Sequence, residues 1–153
     1  MGRFPDMKDG VVSLVRDFFA GMEGREPFET ELMEFRLRLR AKLLEITTSF
    51  PTEPQLVNRN LNYVLSALEE ALREEVEQVD LSSEISLQRA MKTLSVMNDV
   101  LKEFMYEDRI RDKKQLSSLT GFIGRSIERF KGEHRKRFGG ALTGFLKLLF
   151  PAD

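Results

Sequence analysis

Seven apolar residues, Val57, Leu61, Leu65, Leu68, Leu72, Val76 and Val79, recur at steps of three and four. That spacing puts them on one side of an α-helix and fixes what the rest of the chain must do. A helix of this length with one apolar stripe is not stable alone in water and needs partners along most of it. Thr52 and Gln55 have the spacing of a capping box, with Pro54 in the first turn, and Glu69, Glu70, Glu74, Glu75 and Glu77 stand between the apolar positions. These glutamates are expected to face water.

The flanking sequence supplies the partners. Val11, Leu14, Val15, Phe18, Phe19 and Met22 predict a short first helix after a loose leader, 1–10. Phe28, Leu32, Phe35, Leu39, Leu43, Ile46 and Phe50 mark a second, closed by the turn-forming stretch 47–54. Downstream, Leu87, Met91, Leu94, Met97, Leu101 and Phe104 mark another, with the methionines read as core, and DLSSE (80–84) offers its cap. A last long helix is expected from Gln115 to Phe138, carrying Leu116, Leu119, Ile123, Ile127, Phe130 and Phe138 inward. Gly121 and Gly124 within it suggest a close helix crossing or a bend. The expectation is an all-α, antiparallel bundle of about five main helices in one domain over 1–153, with 139–153 as a short apolar helical appendage.

Composition narrows the chemistry. Among 153 residues there is one histidine and no cysteine, which excludes disulfides, thiolate catalysis and the common structural zinc patterns. No P-loop, dinucleotide-binding glycine motif, HExxH or nucleophile-elbow pattern occurs. A ferritin-like Glu-x-x-His pair is missing because Lys131 stands three before His134. Neither a metal nor a cofactor is therefore expected. No apolar run reaches the ~20 residues of a membrane span, and the N-terminal stretch lacks a secretory pattern, so a cytoplasmic location is expected.

The net charge of -1 conceals a split: Lys and Arg number 13 against 21 Asp and Glu through residue 108, and 11 against 4 beyond it. Arg125, Arg129, Lys131, Arg135, Lys136 and Arg137 make the last helix basic. Such a face suits phosphate contacts, and equally suits pairing with the acidic helices within one chain or between chains.

Within that helix, Arg129-Phe130-Lys131-Gly132-Glu133-His134 resembles the R-x4-H signature of HEPN domains, an all-helical and often dimeric family. The resemblance implies an RNase site in which Arg129 holds phosphate and His134 moves a proton or bonds the ribose. The alternative is a core histidine, since His134 falls four after Phe130 and four before Phe138.

The tail contributes Leu142, Phe145, Leu146, Leu149 and Phe150. These residues suit capping of the chain's own core, docking on a second subunit or other protein, or peripheral contact with an anionic membrane. The leading reading is a non-enzymatic helical interaction module: an adaptor, a regulator or a small subunit of an assembly, self-associating. Nucleic-acid binding through the 125–137 helix, with HEPN-like cleavage as its sharper form, is the alternative.

Overall fold

The computed structural model describes residues 3–21, 27–49 and 53–139, and all its regular structure is helical. Helix α1 spans Arg3–Gly21, α2 Glu29–Thr48, α3 Pro54–Glu77, α4 Glu84–Phe104 and α5 Lys114–Phe138. The all-α bundle of five helices follows the apolar stripes.

Helix boundaries obey local chemistry, with two departures from expectation. The leader is not loose from residue 3 onward: α1 begins at Arg3, with Pro5 in its first turn, where its missing N–H leaves no intrahelical bond unmade. Helix α3 has its N-cap at Glu53 and Pro54 as its first residue, one position later than the Thr52–Gln55 box implies; Thr52 lies outside the described residues. Ser83 caps α4, its hydroxyl accepting from the Ser86 N–H at 3.2 Å. Gly139 ends α5 at φ 67°, a backbone conformation that glycine adopts without Cβ strain. Arg135, Lys136 and Arg137 fill the last turn of α5, where positive charge complements the helix dipole.

Cross-helix pairs set the directions. Phe18 of α1 stacks on Phe35 of α2 at 4.3 Å between ring centroids, as two helices joined by a short link return antiparallel. Helices one step apart in the chain instead run parallel. Arg16 reaches Glu74 and Glu75 at 3.0 and 2.9 Å, while Lys8 lies over Tyr63, so α1 runs with α3. Arg36–Asp99 and Arg40–Glu103, at 3.2 and 2.8 Å, advance together and set α2 parallel to α4. The packing order round the bundle is α1, α2, α4, α5, α3 and back to α1, with α2 also touching α3.

One continuous apolar core draws on all five helices, including Val11, Val15, Leu39, Leu43, Leu61, Leu65, Leu94, Leu101, Ile123 and Phe130. Burying each such side chain is worth about 1.5–3 kcal/mol. Met91 and Met97 are fully buried in it, as ordinary core residues. Phe28 is not part of it. The N-cap backbone there is extended, and the ring is 64% exposed, so the core stripe of α2 begins at the half-buried Leu32. Phe50 lies outside the described residues.

Candidate interaction surfaces

The six basic residues from Arg125 to Arg137 in α5 do not form one patch. Arg125, Arg129 and Lys136 are exposed and fall four and then seven residues apart, which aligns them along one outward line. Arg135 is exposed on a neighbouring line, and Arg137 donates to Glu133 at 3.1 Å. Lys131 is buried, its ammonium 3.4 Å from Glu128. Arg125, Arg129, Arg135 and Lys136 have no carboxylate partner among the described residues, unlike Arg16, Arg36, Arg38, Arg40, Arg73 and Arg137.

Arg129 and His134 are not brought together on the surface. The Arg129 guanidinium lies 5.5 Å from the centre of the Phe130 ring on the solvent side. His134 has no exposed surface: its ring rests against Phe138 at 5.4 Å, and Nε2 is 3.3 Å from a Glu84 carboxylate oxygen. That approach is close but not aligned as a hydrogen bond, and neither ring nitrogen has a hydrogen-bond partner among the described residues. In this packing the imidazole belongs to the α4–α5 contact.

Gly121 and Gly124 do not mark a close helix crossing. A Cβ at Gly124 would meet nothing within 4 Å, and one at Gly121 would meet only the flexible tip of Arg125.

Two polar clusters fasten elements together. Asn58 uses its whole side-chain amide, donating to the Pro54 and Arg109 carbonyls at 2.7 and 2.9 Å and accepting from the Arg111 and Asp112 N–H groups at 2.8 and 2.9 Å. It pins the α4–α5 connection to the start of α3. Of the α3 glutamates expected to face water, Glu70, Glu74 and Glu77 are exposed and Glu75 half-buried, but Glu69 is buried. It is 8% exposed and accepts from Arg73 at 2.7 Å, Gln115 at 3.0 Å and Ser118 at 2.9 Å. Three donors satisfy the carboxylate that burial would otherwise penalise. Among the described residues no group of three potential ligands is placed to hold a metal ion, and no helix is long and apolar enough to cross a membrane.

A surface unforeseen in the sequence lies on the outside of α2. Opposite the core stripe, Thr30, Met33, Leu37, Ala41, Leu44 and Thr48 repeat at steps of three and four and form a second, uncharged row, of which only Leu44 packs partly against the core. Met33 and Leu37 are 60% and 59% exposed. Ion pairs border the row: Arg36–Asp99 and Arg40–Glu103 on the α4 side, and Arg38–Glu34 at 2.6 Å on the other. Next to Glu34 and Arg38, a cleft of about 180 Å³ between α1 and α2 has Leu14, Phe18 and Phe35 in its lining. The signal was present as apolar residues at 33, 37 and 44, off the main stripe.

The tail residues Leu142, Phe145, Leu146, Leu149 and Phe150 lie outside the described residues. Comparison with known proteins returns no matching family model, no matching curated protein and no matching solved structure.

Proposed function

We propose that this chain is a helical protein-interaction module, an adaptor, regulator or assembly subunit, which docks its partner along the outer row of α2. The observation that carries this reading is the exposure of Met33 and Leu37 on consecutive turns of a helix whose opposite face is already buried. Anchors at such spacing are how an apolar helix face is recognised by another helix or groove. Covering two large aliphatic side chains releases a few kcal/mol, and the adjoining cleft accepts a further apolar anchor. The bordering arginines are already paired, so the rim is electrically balanced and the middle is greasy, as in many interfaces.

The test uses the full chain as bait in extract from its own cells, comparing wild type with Leu37→Glu. A partner retained by wild type and lost by Leu37→Glu, at an unchanged melting temperature, supports the reading. Retention of the same partner by both proteins contradicts it.

A second reading rests on the line of Arg125, Arg129 and Lys136, which have no carboxylate partner among the described residues. Three aligned cations suit successive phosphates of a nucleic acid. Fluorescence anisotropy with mixed-sequence RNA and DNA tests it. Salt-sensitive binding abolished by reversing these three charges supports the reading, and no binding at low salt contradicts it. Its HEPN-like form further requires RNA fragments that disappear in His134→Ala.

A further inference from the structure

Six large hydrophobic side chains stand out as exposed among the described residues, and four of them lie along or at the ends of α2. Phe28 is at its N-cap, and Met33 and Leu37 are on its outer row. The fourth, Tyr106, is 86% exposed and belongs to the connection after α4. It is held beside the last turns of α2 from both sides. Three residues before it, Glu103 accepts from Arg40 at 2.8 Å; three residues after it, Arg109 donates to the Thr47 carbonyl at 3.2 Å. Along the length of α2 the exposed hydrophobics thus run from Phe28 through Met33 and Leu37 to Tyr106 beside its last turns, with the midpoint near Leu37.

Resting on the reading of the α2 row as a docking face, we infer that its occupant is a second copy of this chain, laid antiparallel across it about a two-fold axis near Leu37. A two-fold contact must be self-complementary, each residue meeting a residue that meets it in return. The row satisfies this in size. About Leu37, Met33 comes opposite the partner's Ala41 and Leu44 opposite the partner's Thr30, large against small, while each Phe28 approaches the partner's Tyr106 end.

It satisfies it in charge as well. An antiparallel pair brings like edges together. The edge carrying Glu34 and Arg38 meets its own reverse: each Glu34 comes near the partner's Arg38, and the two Arg38 side chains, equally near one another across the axis, are each balanced by their own Glu34 at 2.6 Å. On the other edge Arg36 and Arg40 are each neutralised by an α4 carboxylate, leaving no net charge to oppose its copy. A helix from an unrelated protein would need an apolar seam of its own, whereas α2 already carries one.

Sedimentation velocity of the full chain across a concentration series tests this, together with single-cysteine cross-linking. Wild type is expected at twice the 17.7 kDa chain mass, and Leu37→Glu as a folded monomer. Because the chain has no cysteine, one introduced thiol gives an unambiguous readout. Leu37→Cys should form an interchain disulfide at least ~tenfold faster than Ile85→Cys, since facing thiols share a high effective concentration. A wild type that stays monomeric throughout, a Leu37→Glu variant that still dimerises, or equal cross-linking at both positions overturns the inference. If wild type is monomeric yet Leu37-dependent capture of another protein persists, the second copy is rejected and the interaction module stands. Loss of both rejects the module too.

Discussion

Arg40 donates to Glu103 at 2.8 Å across the α2–α4 seam, and Arg36 repeats the contact with Asp99 one turn earlier. These pairs are half exposed and worth little in stability, about 0–1 kcal/mol each. Their larger effect is on charge. They occupy the arginines beside the outer row of α2, so an apolar strip is bordered by groups that repel neither an approaching helix nor each other.

Asn58 should be the most sensitive polar residue at the α3 end of the bundle. Asn58→Ala removes four hydrogen bonds at once and leaves the Arg111 and Asp112 N–H groups without their acceptor. At about 1 kcal/mol net for each bond, urea unfolding should show a loss of ~2–4 kcal/mol. A loss under ~0.5 kcal/mol would mean that the clasp is replaced by solvent without penalty.

His134 yields two substitutions with opposite signs. His134→Leu fills nearly the same volume and removes two buried nitrogens that make no aligned hydrogen bond among the described residues, at the loss of the 3.3 Å approach of Nε2 to Glu84, so it should stabilise by about 1 kcal/mol. His134→Ala instead opens a cavity between α4 and α5 and should destabilise by ~2–4 kcal/mol. Chemical denaturation measures both. Destabilisation of His134→Leu comparable to that of His134→Ala would show that the imidazole makes polar contacts essential to the fold.

Stability should depend on pH through the α3–α4 turn. The Ser82 hydroxyl and N–H donate to Asp80 at 2.6 and 3.0 Å, and with Arg137 nearby they hold its carboxyl below the usual carboxylate pKa. A carboxylate with a lowered folded-state pKa adds stability above its unfolded value, and that stability is lost as pH falls through the folded value. Ser82→Ala should therefore melt lower than wild type at neutral pH, with the gap closing in acid. Thermal melts across pH test this, and a gap that widens in acid would contradict it.

Periodicity was sufficient for the helices because a 3.6-residue repeat is local. The stripe from Val57 to Val76 is buried as its spacing implies, and the stop of α5 at Gly139 follows from residue type. What depends on distant partners was not legible. Glu69 reads as a solvated glutamate until Gln115 and Ser118, 46 and 49 residues away, are brought to it. Phe28 fits the core stripe by number, yet it precedes the first helical residue, where the backbone no longer follows the helical repeat. The six cations from Arg125 to Arg137 lie close together in sequence, but the helix turns Lys131 inward and Arg137 toward Glu133. The outer row of α2 was hidden by the stronger stripe on its opposite face, since a helix apolar on two faces reads as amphipathic on its better one.

The most direct test of the α2 surface is photo-cross-linking in living cells with a benzophenone side chain placed at position 37 and, as the control, at position 70 on the exposed side of α3. Adducts of defined mass at position 37 and none at position 70 are expected, and the adduct mass also distinguishes a second copy of the chain from another protein. Equal adduct yields at the two positions, or none at position 37, would contradict the assignment of the outer row as a docking surface.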